Sequence, residues 1–171
     1  MDLLKHRNDK DKKNQDVLKE VLNGELVQRY RFGSLAEMSL IRDLALDQIM
    51  KGKIKNQEQL VAFDQIKETL KEYFYVEKIE QIDANDYVRY LTFNDKPNDK
   101  PNDKPKINDK SLDFDLKKGG LYVNSKDGFI ILKSSNPMDK KTYWKISDKT
   151  PLFCKLNDND KIIMVLMENI Q

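Results

Sequence analysis

The chain has 171 residues, 39% apolar and 35% charged, with 31 basic and 29 acidic side chains, one histidine and one cysteine. That length allows one domain able to bury roughly two thirds of its unfolded surface, and a formal charge of +2 is far from the basic excess of a dedicated nucleic-acid binder. A lone cysteine excludes an internal disulfide, one Cys with one His cannot build a structural zinc site, and no run approaches the ~18 apolar residues of a membrane span or the core of a secretory signal. A reducing, intracellular setting without membrane contact is expected.

Residues 1–16 alternate Lys and Asp with Asn and Gln and predict a disordered tail, which holds His6. From Gln15 apolar residues recur at helical spacing through Val17, Leu18, Val21 and Leu22, and Asn23-Gly24 predicts a cap and break before Leu26, Val27 and Tyr30. Ser34 and Glu37 have the capping-box spacing, so a helix is expected over 35–51 with Leu35, Met38, Ile41, Ala45 and Ile49, and Leu44 alongside, as its apolar stripe and Gly52 as its stop. Asn56 and Gln59 open a second helix over 57–74, with Leu60, Phe63, Ile66, Leu70, Tyr73 and Phe74 on one face. The pair predicts an antiparallel αα-hairpin.

After residue 75 the period shifts toward two. Strands are expected at YVRYLTF (87–93), LDFDL (112–116), LYV (121–123), FIILK (129–133), TYWKI (142–146) and LFCK (152–155). Gly119-Gly120, Asp127-Gly128, Asn136-Pro137 and residues 148–151 supply the turns between them. KIIMVLMENI (161–170) is apolar enough for a strand or a short buried helix, and a last strand is the expectation. Between the first two strands stands NDKPNDKPNDKPKINDK (94–110), where proline at every fourth position removes backbone donors. Because a longer surface loop costs only about 0.6 kcal/mol per doubling, this tandem repeat reads as a tolerated insertion rather than a recognition motif.

Catalytic signatures are missing: no P-loop, dinucleotide-binding, HExxH or GxSxG pattern occurs. His6 lacks the scaffold that a positioned base requires, and Cys154, between Phe153 and Lys155 in an expected strand, reads as a half-buried structural thiol without an activating histidine. Asn157 through Asp160 resembles a calcium loop only in composition and reads as a polar turn.

The remaining signal is aromatic and basic. Residues 111–155 hold 9 basic and 5 acidic side chains and no glutamate, a weak preference for phosphate. On strands, Tyr87 and Arg89 share one face opposite Val88 and Tyr90, and Tyr143 and Lys145 share one opposite Trp144. These residues could form a stacking platform for single-stranded nucleic acid or a pocket for a peptide; alternatively Trp144, Tyr90, Phe129 and Ile131 are simply the barrel core. Tyr87, Arg89, Lys117, Lys118, Tyr143 and Lys145 are the candidate binding residues.

The order VRYLTF, KKGGLYV, FIILK, YWKI, PLFCK resembles a short β module in proteins of giant nucleocytoplasmic DNA viruses, where a VRYF-like strand precedes a GGFL-like turn and strand, a hydrophobic strand and a W-x-V or W-x-I strand. Val88, Arg89, Tyr90, Gly119, Gly120, Leu121, Phe129, Ile130, Ile131, Trp144 and Ile146 carry the match, over residues 76–155; the repeat interrupts the pattern and the helical half has no counterpart in it. The resemblance implies a viral, virion-associated or host-intracellular protein and no particular activity.

Together these readings predict an α+β protein: a helical hairpin (35–74) within a helical region (17–75), then a small, SH3-like antiparallel barrel or curled sheet from 76 to 170. The expected function is non-enzymatic, a structural or protein-interaction component, with nucleic-acid binding on the basic and aromatic face as the alternative. No cofactor or metal is expected, and the oligomeric state is left open.

Overall fold

Whether a helix end here is capped or buried is decided by side chains close in sequence, and most of the expected caps form. The computed structural model describes residues 12, 16–17, 19–21, 23–94, 113–140 and 142–169. His6, nearly all of the 1–16 tail and the repeat beyond Asn94 lie outside the described residues.

Helix α1, over residues 23–30, directs Leu26 and Tyr30 into the core. Asn23 and Gly24, expected to break it, lie inside it, because the helix must continue to bring those two side chains onto the sheet. It ends instead at Arg31, which takes the left-handed conformation (φ 64°) common at helix C-termini. In α2 (Leu35–Met50) Ser34 Oγ accepts from Glu37 N at 3.1 Å, and in α3 (Gln57–Thr69) Asn56 Oδ1 accepts from Gln59 N at 2.8 Å. The reciprocal bonds go one residue upstream of each cap: Glu37 accepts from Gly33 N, and Gln59 from Lys55 N.

The buried stripe of α2 is Met38, Arg42, Leu46 and Met50, rotated from the expected one; Leu44 is 60% exposed. Arg42 was missed because a charged residue does not register in an apolar pattern. Its Nη1 donates to Leu70 O and Lys71 O, both at 2.9 Å, satisfying carbonyls where α3 ends. Helix α3 stops at Thr69 rather than 74, and Tyr73–Tyr75 becomes strand β1, paired with 153–155. Three consecutive aromatics lose less in a strand, where both faces meet a core.

The sheet has six antiparallel strands in the order β1-β6-β2-β3-β4-β5, with β2 Tyr87–Phe93, β3 Phe114–Lys126, β4 Phe129–Lys133, β5 Tyr143–Ser147 and β6 Leu152–Lys155. It does not close, so β1 and β5 are its edges. Phe114–Leu116 and LYV, expected in separate strands, belong to the single long β3, with Gly119-Gly120 inside it rather than in a turn. Val88 pairs with Gly120 and Tyr90 with Lys117, so β3 carries one residue more than β2 between these pairs, a bulge. Gly119 occupies it at φ 73°, and a Cβ there would lie 1.7 Å from Val88 O. Asp127 and Gly128, both at positive φ, make the two-residue turn to β4 as expected.

Two apolar clusters cover the sheet. One joins Phe74, Val88, Ile130, Leu132 and Cys154 to Tyr30, Met38 and Met164; the other joins Tyr73, Leu91, Phe114 and Phe153 to Leu46, Met50, Phe63 and Ile66. Helix α2 contributes to both and packs beside β1, covering that edge. Residues 161–169, expected as a strand, belong to helix α4 (Asp158–Asn169), because Ile163, Met164 and Met167 meet the first cluster at helical spacing. The polar run before them starts this helix rather than linking strands: Asn157 Oδ1 accepts from Asn159 N at 2.8 Å.

Candidate binding surface

The second cluster stops at β3. No side chain of β4 or β5 belongs to it, and the residues of those strands on that face look outward. The register places Tyr87, Leu121, Lys133 and Tyr143 in one row across the sheet, with Ile131 beside Lys145 and Phe129 beside Ser147 in the next rows. Tyr143 is 59% exposed and Phe129 47%, so Phe129 is not the core residue it was expected to be; Ile130 and Leu132 fill that role. Tyr90 and Trp144 are half-buried against the first cluster, as their core reading requires.

Strand β5 is an edge with no cover among the described residues. Ser134 N donates to Thr142 O at 2.8 Å and Asp148 N to Gly128 O at 3.0 Å, which fixes the even-numbered residues 142–148 as those bonded to β4. Ser147 O accepts from Thr150 N at 3.1 Å, whereas the N–H and C=O groups of Tyr143 and Lys145 and the N–H of Ser147 point away from the sheet without a partner among the described residues. Such a row of unpaired backbone groups is a template for another strand.

A Cβ added to Gly120 on β3 would lie 2.7 Å from Trp144 Cη2, so the indole of β5 reaches across to a strand two places away. An open groove of about 480 Å³ lies there, lined by Tyr90, Lys117, Lys118, Asp139, Lys140 and Trp144. Lys117 is held by Asp115, which pushes its pKa up, and Asp139 is engaged by Ser134 and Asn136. Lys118 and Lys140 make no side-chain ion pair with a described residue. Trp144 Nε1 is buried without a hydrogen-bond partner among the described residues, an arrangement that costs about 1–3 kcal/mol.

The six candidate residues are thus divided. Lys117 and Lys118 line the groove. Tyr87 reaches them only through its hydroxyl, which donates to Lys118 O at 2.7 Å, and burial raises its pKa. Arg89 turns toward α3, with Nε 3.3 Å from Tyr73 Oη. Tyr143 and Lys145 stand on the outward face of β5. The sequence list lacked Lys140, whose place follows from the fold of the 134–142 loop.

A second polar cluster, partly exposed, adjoins the first apolar cluster. Arg29 Nη2 lies 2.7 Å from Asp83 and 3.5 Å from Asp86, Nη1 lies 3.3 Å from Asp160, and Tyr30 Oη donates to Asp160. Burial raises the pKa of Tyr30 and of Asp86. Cys154 adjoins it, 0% exposed rather than half-buried, and burial together with Asp86 pushes its thiol pKa well up. This network joins α1, the 83–86 turn and α4. With the thiol sealed and the carboxylates turned to Arg29 or Tyr30, it ties these elements together.

No helix among the described residues is long and apolar enough to cross a membrane. The chain matches no family model, no curated protein and no solved structure.

Proposed function

We propose that this chain is a non-enzymatic protein-interaction module that receives an extended segment of a partner along β5. The observation that carries this reading is the asymmetry of the two sheet edges: α2 covers β1, whereas Tyr143 and Lys145 present their backbone donors and acceptors, and Ser147 its donor, outward. Strand addition uses those groups for affinity and the flanking side chains for selectivity. The same reading takes the curled sheet as SH3-like, on the reach of Trp144 to Gly120, and α2 with α3 as a helical hairpin, on the bonds from Arg42 and the Lys67–Asp47 pair at 2.8 Å. A virion or host-cell interior is the setting we propose for the partner, on the resemblance of residues 76–155 alone.

The second reading is single-stranded nucleic acid stacked on the outward face, favoured by exposed Tyr143 and Phe129 beside Lys133 and Lys145. One experiment weighs both. Peptides selected from a random display library should bind the wild-type chain and lose binding in Lys145→Pro, which deletes an outward donor and no bond to β4, but keep it in Lys145→Thr. Selected peptides that bind the proline variant equally well, or an oligonucleotide that displaces them completely, would overturn the edge reading.

A further inference from the structure

The partner's chemistry follows from the charges around the free edge. Lys118 and Lys140, with Lys117 beside them, converge on the groove at the start of β5, and Lys145 stands on the strand itself. Asp115 is paired with Lys117, and Asp139, held by Ser134 and Asn136, is the one carboxylate among the described residues lining the groove against three lysines. Lysines on an edge strand also discourage pairing with a second copy, because antiparallel self-addition would bring like charges together. What remains complementary is an acidic segment.

We propose that the segment received by β5 is acidic and sets a carboxylate into the Lys117, Lys118 and Lys140 groove, where Trp144 forms part of the wall. This rests on the edge reading and adds its selectivity. The groove adjoins the start of β5, so a strand laid along Tyr143–Ser147 carries its neighbouring side chains past it. A polypeptide fits better than a nucleic acid for two reasons. Nucleic acid has no main-chain groups to pair with Tyr143, Lys145 and Ser147, and the groove offers no exposed ring to stack on, since Tyr90 and Trp144 are half-buried and Trp144 lies against Gly120. Charge-assisted contacts to two free ammonium groups supply the preference for acid.

Trp144 is the only tryptophan in the chain, so its fluorescence reports on the groove directly. The probes are decaglutamate, a neutral threonine-glutamine decapeptide and a ten-nucleotide oligothymidine, each end-labelled for anisotropy and titrated against the full chain. Decaglutamate should bind saturably, change Trp144 emission and weaken with salt. It should lose about tenfold or more in affinity in the exposed pair Lys118→Glu with Lys140→Glu and lose binding in Lys145→Pro. Decaglutamate binding that the double reversal leaves unchanged, while Lys145→Pro abolishes it, sinks the acid groove and leaves the edge standing. Loss in the double reversal without loss in Lys145→Pro keeps the oxyanion groove and sinks strand addition. Equal binding of the neutral peptide, tighter binding of oligothymidine, or no decaglutamate binding at all overturns the proposal.

Discussion

Replacing Gly119 by alanine tests how the bulge holds β2 and β3 in register. A methyl group there would sit 1.7 Å from Val88 O, 2.7 Å from Val88 C and 2.9 Å from Arg89 Cα. All of these are backbone atoms, so no side chain can swing aside. The residue would also hold φ 73°, which for alanine costs about 1–2 kcal/mol. Relieving the collision means moving β2 from β3, with the loss of one or two ladder hydrogen bonds at about 0.5–1.5 kcal/mol each and looser packing of the fully buried Val88. The sum is about 2–5 kcal/mol, a large share of the roughly 5–15 kcal/mol that holds a domain folded. Gly128→Ala is the matched control: φ is 79°, yet the nearest atom to its Cβ is Asp148 Oδ2 at 4.0 Å, so only the conformational cost of about 1–2 kcal/mol applies. Urea unfolding followed by circular dichroism gives both values, provided that the denaturant slopes agree. Gly119→Ala within about 0.5 kcal/mol of Gly128→Ala would refute the steric argument.

Arg42→Ala should destabilise by about 2–4 kcal/mol, because it removes charge-assisted bonds to the carbonyls of Leu70 and Lys71; Arg42→Lys should recover only part of it, and urea melts of the two decide. Cys154, sealed and with its thiol pKa raised, should react with a thiol reagent only through unfolding, so its rate should rise as global stability falls across variants. Fast labelling of a fully folded sample would contradict the burial. Asp86 has its pKa raised above 3.8 by burial, so the folded state holds its proton more tightly than the unfolded one. Its contribution is then present at low pH and lost as pH rises through the raised value. Asp86→Asn should therefore become relatively more favourable on going from acid to neutral pH, and unfolding at both pH values that showed the reverse trend would refute the assignment.

Local chemistry was legible and long-range packing was not. The caps at Ser34 and Asn56, strands β2, β4 and β6 and the Asp127-Gly128 turn are written within a few residues of themselves, so pattern reading finds them. The failures share another cause. Gly119-Gly120 reads as a turn, but β3 bulges there against β2, where Val88 O approaches and no side chain can stand. Tyr73 and Phe74 continue a helical face on paper, yet pairing with Cys154 and Lys155, some eighty positions on, draws them into a strand. Arg29 finds Asp83, Asp86 and Asp160, and Arg42 finds the end of α3, through contacts that no local spacing encodes. The candidate groove was half legible: Lys117 and Lys118 were among the candidate residues, but placing them beside Lys140 and Trp144 needed the tertiary fold.

The central claim is that the free side of β5 pairs with an acidic strand. Residue-resolved amide hydrogen exchange, with and without saturating decaglutamate, tests it most directly. The account predicts new protection at the amides of Tyr143, Lys145 and Ser147, while Trp144 and Ile146, already bonded to β4, change little. Unaltered exchange along β5 under saturation, or protection gained instead around Arg89 and α3, would contradict it.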